Sequence, residues 1–361
     1  MSTANKEIGP PVIELGAMGW LRKNLFSNWY NSLISLFCIY LIIITIPPFI
    51  DWAFVSATFE GKLKTDCKTS GACWVFVKVW FEKFMYGFYP VENIWRINLS
   101  FLILIISISL SFFVKDKFKI YILFFLIFVF PIIAFVLIHG SFGMQIVESR
   151  EWGGLALTFI LAIFGIIFSF PLGVLLALGR RSELPIIKYF SICFIEFWRG
   201  IPLITVLFAA AVMFPLLLPA DSYVDKTLRI AVGIAIFESA YIAEVVRGGL
   251  QSLPKGQYDA ARSLGMGYWK MNFFIVLPQA IKTVIPGIAN TFIALLKDTP
   301  LIVLVGMAEI LGMINLAKAN PYWLGMAVEG YVFAAAIFWV ASYFLSSYSQ
   351  RLEKKYSTEK K

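Results

Sequence analysis

Leu155-Ala-Leu-Thr-Phe-Ile-Leu-Ala-Ile-Phe-Gly-Ile-Ile-Phe-Ser-Phe-Pro-Leu-Gly-Val-Leu-Leu-Ala-Leu178 contains no charged residue over 24 positions. A hydrocarbon core of roughly 30 Å needs about 20 residues of helix to cross it. The run is continuously apolar rather than alternating, so it reads as a helix that satisfies its own backbone in lipid and not as a barrel strand. Working outward, similar runs occupy 33–49, 97–114, 120–138, 192–218, 228–246, 284–304 and 331–345. The expected fold is an all-α polytopic membrane protein of about eight transmembrane helices.

The composition agrees, at 60% hydrophobic and 15% charged residues with 35 Phe. The net charge of +9 is spread between the apolar runs. No basic aromatic face emerges, so nucleic acid is not an expected partner. Membrane lipid is. Lys115, Lys117 and Lys119, then Arg180, Arg181 and Lys188, then Arg247, Lys255, Arg262 and Lys270, then the tail fall in alternate loops. By the positive-inside rule those loops are cytoplasmic. The segment after the first run mixes Lys and Arg with Asp51, Glu60, Asp66, Glu82 and Glu92, which weakens the bias there without reversing it.

The expected organisation is a cytoplasmic N-terminus (1–31) that is retained rather than cleaved, and a three-helix part (32–140) with an outer loop at 51–96. A C-terminal five-helix part (152–346) and a basic cytoplasmic tail (347–361) follow. Both termini are expected inside. Cys38 and Cys193 lie in apolar runs and read as reduced thiols. Cys67 and Cys73 flank a polar outer loop, and a disulfide closing it is favoured over two free thiols.

The chain has no Gly-x-x-x-x-Gly-Lys-Ser/Thr loop to cradle ATP phosphates, one His (His139), and no Cys/His cluster at metal spacing. It is expected not to be an enzyme, and to hold no metal or cofactor of its own.

The informative loop is Gln251-Ser-Leu-Pro-Lys-Gly-Gln-Tyr-Asp-Ala-Ala-Arg-Ser-Leu-Gly-Met-Gly-Tyr-Trp-Lys-Met-Asn-Phe-Phe-Ile-Val-Leu-Pro278. Pro254 and Gly256 suggest a turn, helix formers follow from Tyr258 to Leu264, and Gly265 stops them. Such a short helix would turn Asp259 and Arg262 outward and keep Ala260, Ala261 and Leu264 for close contact. An ordinary amphipathic connector on the membrane is the plainer reading. The spacing Asp259-Ala260-Ala261, three residues, Gly265, nine residues, Ile275, one residue, Leu277-Pro278 resembles the E-A-A-x3-G-x9-I-x-L-P coupling motif of ABC importer permeases. Asp259 departs from the family's Glu. Glu196-Phe-Trp-Arg-Gly-Ile-Pro202, the run from Ala240 to Gln257, and Leu296-Lys-Asp-Thr-Pro-Leu301 resemble the polar amino-acid branch of these MetI-like permeases. The N-terminal helices and Trp152-Gly-Gly-Leu are similar to the larger permease of general L-amino-acid importers.

The resemblance implies a five-helix core, a second homologous permease, ATP-binding subunits that hold ATP-Mg, and a periplasmic amino-acid-binding protein. It also implies that Pro254, Gly256, Asp259, Ala260, Ala261, Gly265, Leu277 and Pro278 belong to the loop that couples to the ATPase. Transport of another small polar solute is the alternative, and an ion-coupled secondary transporter a more distant one. That rival should show broken helices in both halves of the chain, and the N-terminal part has no counterpart of Lys297-Asp298.

Ionisable groups at membrane depth ask for a partner or a watery path. Glu196 with Arg199, and Glu244 with Arg247, are spaced to neutralise each other. Glu238 has no basic residue one turn away. Its readings are an acceptor for a substrate ammonium or a carboxyl bonded to a neighbouring Ser or Tyr, weighed equally. Lys297-Asp298-Thr299 interrupts an apolar run, and with Arg199 and Glu238 is assigned to the translocation path, with a structural Lys297–Asp298 pair left open.

Overall fold

The computed structural model describes residues 16–219 and 224–357. Its helices, in chain order, are α1 (Ala17–Asn24), α2 (Trp29–Ile50), α3 (Trp74–Tyr86), α4 (Ile94–Phe113), α5 (Asp116–Phe124), α6 (Phe130–His139), α7 (Gly154–Arg180), α8 (Pro185–Gly200), α9 (Leu203–Phe208), α10 (Phe214–Leu216), α11 (Lys226–Ser252), α12 (Lys255–Ser263), α13 (Tyr268–Met271), α14 (Leu277–Asp298), α15 (Ile310–Ala319) and α16 (Ala327–Ser357). The protein is an all-α polytopic membrane protein. Among the described residues, β-type pairing is confined to isolated bridges.

Every expected crossing has a helical counterpart. Trp29–Val55, Val91–Ser111, Phe118–His139, Gly154–Arg180, Tyr268–Val305 and Ala327–Lys355 are each long and apolar enough to span a bilayer. A seventh is the pair Pro185–Gly200 and Leu203–Leu216, bent by 101°. Pro202 causes the break, since it lacks an N–H and forces Ile201 into an extended conformation. The eighth is α11, whose 27 residues reach about 40 Å although Lys226, Arg229, Glu238, Glu244 and Arg247 make it less apolar than its neighbours.

The chain forms two compact units that divide at Phe76/Val77. In the first, α2 contains Pro47 and Pro48, and the donors they remove are followed by a π turn at Asp51–Val55. Cys67 and Cys73 are bonded in the loop after it, with their Cα atoms 5.4 Å apart. The Trp74 indole donates to the Ala53 carbonyl at 2.7 Å. Asp66 accepts from the Lys62 and Leu63 N–H groups at 2.8 and 3.0 Å, and these bonds hold its carboxyl below the usual carboxylate range.

In the second unit, Tyr89 Oη donates to the Ile138 carbonyl at 2.7 Å, and Arg96 Nη1 to that of Gln145 at 2.7 Å. These bonds join the segments flanking α4 and α6. The five crossings from α7 to α16 form the core, with α11 packed against both α7 and α14. Lipid gives no hydrophobic drive between helices, so close contact of small residues must hold them together. At Gly173 an added Cβ would sit 2.6 Å from Ile242 Cγ2, so only glycine lets α7 approach α11 this closely.

Candidate functional site

Two groups of the sequence-assigned residues are centred on α11. The first lies where α7, α8 and α11 converge. Arg180 Nη1 is 2.8 Å from Glu196 Oε1 and 3.4 Å from Glu244 Oε2. Arg199 Nη1 is 3.9 Å from Glu196 and 3.8 Å from Glu244, and Arg247 pairs with Glu244. The two intrahelical pairs expected from spacing are thus parts of one cluster of three guanidinium and two carboxylate groups on three helices. Arg180, its central member, was not assigned a role from the sequence, since its partners are 16 and 64 residues away. Arg180, Glu244 and Arg247 are half-buried, where an ion pair is screened less than at the surface, while Glu196 and Arg199 are exposed.

The second group is the loop after α11. Pro254 caps α12, and Gly256 lies in its first turn, so the expected turn at these residues is instead the start of the helix. Ala261 is buried against the core, whereas Ala260 is exposed and Leu264 is 79% exposed. Of the three residues expected to be kept for contact with another protein, Ala261 instead faces its own chain, while Ala260 and Leu264 stay exposed beside Asp259 and Arg262. Gly265 has φ +71°, and nothing would contact a Cβ there. Its need for glycine is therefore conformational rather than spatial. Leu277 is buried, and Pro278 follows it inside the continuous Tyr268–Val305 span, directly after the π turn Asn272–Val276 that accommodates its missing N–H.

Arg181 ties α12 to the core. Its Nη1 donates to the Leu250 carbonyl at 2.8 Å and to Tyr258 Oη at 2.6 Å, while Tyr258 Oη donates to the same carbonyl at 2.9 Å. The guanidinium lies 4.9 Å from the centre of the Tyr258 ring. Gln279 Nε2 donates to Gln257 Oε1 at 3.1 Å, a second tie from α14. A basic residue at a helix end is ordinarily taken for a topology signal, which is why Arg181 carried no assignment.

The residues assigned to the path are placed differently. Glu238 is 3% exposed, and among the described residues it forms neither a hydrogen bond nor an ion pair. Ser239 bonds the Ile236 carbonyl instead, so the expected Ser partner is taken. Asp298 is within electrostatic range of Glu238. Among the described residues Lys297 and Asp298 form no ion pair. Helix α14 continues through Asp298, and the interruption begins at Thr299, where a 3₁₀ segment runs to Val305. The buried Thr299 hydroxyl donates to the Leu296 carbonyl at 2.7 Å. Arg199 belongs to the charged cluster, with its guanidinium 5.9 Å from the Tyr241 ring.

Helix α12 is thus exposed, tied to the core through Arg181 and Tyr258, and carries the Ala-Ala and Gly spacing. Residues 169–358 match the model of the binding-protein-dependent transport system inner membrane component family. The chain belongs to that family. It is 51% identical over 344 residues to the inner membrane amino-acid ABC transporter permease protein YhdY of Escherichia coli, covering 95% of this chain and 94% of that one. It is 32% identical to the glutamate/glutamine/aspartate/asparagine transport system permease protein BztC of Rhodobacter capsulatus, covering 96% and 95%. The probable glutamine ABC transporter permease protein GlnP of Bacillus subtilis is 32% identical over 202 residues, covering 56% and 91%. The first two similarities take in the N-terminal helices, and the third is confined to a length near that of the core.

Proposed function

We propose that this chain is the membrane-spanning permease subunit of an ATP-driven importer of L-amino acids, of broad or polar range, in the bacterial inner membrane. The observation that carries the reading is α12, exposed on one face and fixed to α7 and α11 through Arg181 and Tyr258. Near full-length similarity to two amino-acid permeases supports the substrate class. The multi-residue name of the second supports broad range.

In this reading both termini are cytoplasmic and α12 docks on an ATP-binding subunit. A second homologous permease completes the path, and a periplasmic binding protein delivers the ligand. ATP-Mg is held and hydrolysed by the partner subunits, not by this chain. ATP draws those subunits together and displaces α12, and the Arg181 tie carries that displacement to the ends of α7 and α11. The work comes from the difference in ATP affinity between the two states, because a ligand shifts an equilibrium only by such a difference. Within the core, Glu238 and Asp298 are the acidic groups placed to meet a substrate ammonium at depth. Cys67 and Cys73 stay oxidised on the outer side.

The test is co-purification of the tagged chain with its ATP-binding subunit, comparing the intact loop with Gly265→Val. A β-branched residue cannot adopt φ +71° without strain. A stable complex weakened by the substitution and uptake of labelled amino acids are expected. An intact chain that binds no ATPase subunit yet transports down an ion gradient would replace this reading with the secondary transporter.

A further inference from the structure

Lys226 and Arg229 occupy the first turn of α11, at the end opposite α12. The N-terminus of a helix carries partial positive charge, so two cations there are badly placed with respect to their own helix. The nearby acid Asp225 is already used, accepting from Leu228 N at 3.0 Å and from the Ser149 hydroxyl. Among the described residues neither cation has an ion-pair partner. Both instead reach across to carbonyl groups of other segments. Lys226 Nζ donates to the Val305 carbonyl at 2.6 Å, at the end of the 3₁₀ segment. Arg229 Nη1 donates to the Ala210 and Ala211 carbonyls at 2.8 and 2.9 Å, and its Nε donates to Val224 at 3.0 Å.

The carbonyl groups chosen are informative. Ala209–Met213 is a π turn, in which the regular i to i−4 bonding is disturbed and carbonyl groups become free for other donors. Val305 is the last residue before Gly306 turns the chain left-handed, so its carbonyl likewise lacks a helical partner. Each cation therefore satisfies an acceptor that a broken helix leaves over, and each joins such a helix to the continuous rod of α11. Bonds of charge to neutral carbonyl can be exchanged for water when the segments part, without leaving an unpaired carboxylate behind.

We infer that Lys226 and Arg229 form a clasp that closes the end of the core remote from α12, holding the 209–213 turn and the 299–305 segment against α11. The clasp must release for that end to open. For its consequence in transport the inference rests on the importer reading, but the clasp itself is a statement about distances.

The test uses the full chain with its ATP-binding partner in lipid nanodiscs. Cys38→Ser and Cys193→Ser remove the free thiols, and Met213→Cys with Leu304→Cys provide exposed labelling sites on the two clasped segments. Pulsed electron-spin distance measurement should give a single short distribution in this background. In Lys226→Met/Arg229→Ala it should become longer and broader, and ATP hydrolysis without binding protein should rise several-fold. An unchanged distribution in the folded double variant overturns the clasp. If that variant does not fold, Arg229→Lys serves, since a point ammonium cannot bridge two carbonyl groups as a guanidinium does. Broadening supports the clasp, and an unchanged distribution again overturns it. Distances that move while hydrolysis and uptake stay constant leave the clasp standing and count against the importer reading.

Discussion

Tyr258→Phe separates the mechanical tie of α12 from its docking surface. The substitution keeps the ring, and with it the cation–π contact with Arg181, but removes an acceptor 2.6 Å from the guanidinium and a donor 2.9 Å from the Leu250 carbonyl. A charged hydrogen bond contributes about 1.5–3 kcal/mol when buried and a neutral one about 1 kcal/mol. Arg181 is exposed and keeps its own bond to Leu250, so water replaces much of the loss and about 1 kcal/mol remains. That corresponds to about a fivefold fall in the ratio of seated to unseated α12. The exposed face of Asp259, Ala260 and Leu264 is untouched. Affinity for the ATP-binding subunit should therefore hold within about twofold, while amino acid taken up per ATP hydrolysed in proteoliposomes falls, by at most about fivefold. Unchanged stoichiometry would refute the claim that this tie transmits the displacement. A loss of affinity instead would place Tyr258 in the docking surface.

Other substitutions test separate links. Gly265→Ala should weaken the complex with the ATP-binding subunit by about fivefold, from a left-handed backbone cost of about 1 kcal/mol, with Gly265→Asn close to neutral in a binding titration. Without reductant, thiol labelling of the unfolded chain should reach only Cys38 and Cys193, and reductant should add Cys67 and Cys73. Glu309, between two crossings and fully buried, caps α15 through Gly312 N at 3.0 Å, and burial pushes its carboxyl up to about 7. Its folded pKa thus exceeds its ordinary value of 4.5. The protonated form is favoured by folding, and this contribution is complete below about 4.5 and lost as pH rises through about 7. Melting temperature should then decline between pH 5 and 8 by an amount reflecting at most about 3 kcal/mol, and Glu309→Gln should flatten the decline.

The crossings were legible because a bilayer imposes length and apolarity on each one separately. Even α11, with its charges, could be placed, because Glu238 is the one charge between Arg229 and Glu244. Intrahelical spacing revealed the Glu196–Arg199 and Glu244–Arg247 pairs for the same local reason. What joins them is not local: Arg180 becomes a partner only when α7, α8 and α11 converge. That the core takes Ala261 rather than Ala260 is not legible, because the sequence does not say which alanine of the pair faces inward. Pro254 and Gly256 looked like a turn because both residues favour one, yet Pro can stand before the first helical residue and Gly is tolerated just inside. The clasp had no sequence signal, since its acceptors are backbone carbonyl groups exposed by irregular geometry.

Helix α11 runs 27 residues without a proline while its neighbours are bent, π-turned or tightened into 3₁₀ form. Relatives should consequently tolerate drift unevenly along it. Exposed positions such as Leu228 and Val232 should exchange one aliphatic residue for another more readily, and the packed stripe through Ala235, Ile242 and Val246 should vary only together with α7. A proline acquired anywhere in its middle would cost more than local stability, because the two ends would no longer move as one body. Selection at this helix should act on stiffness as well as on contact.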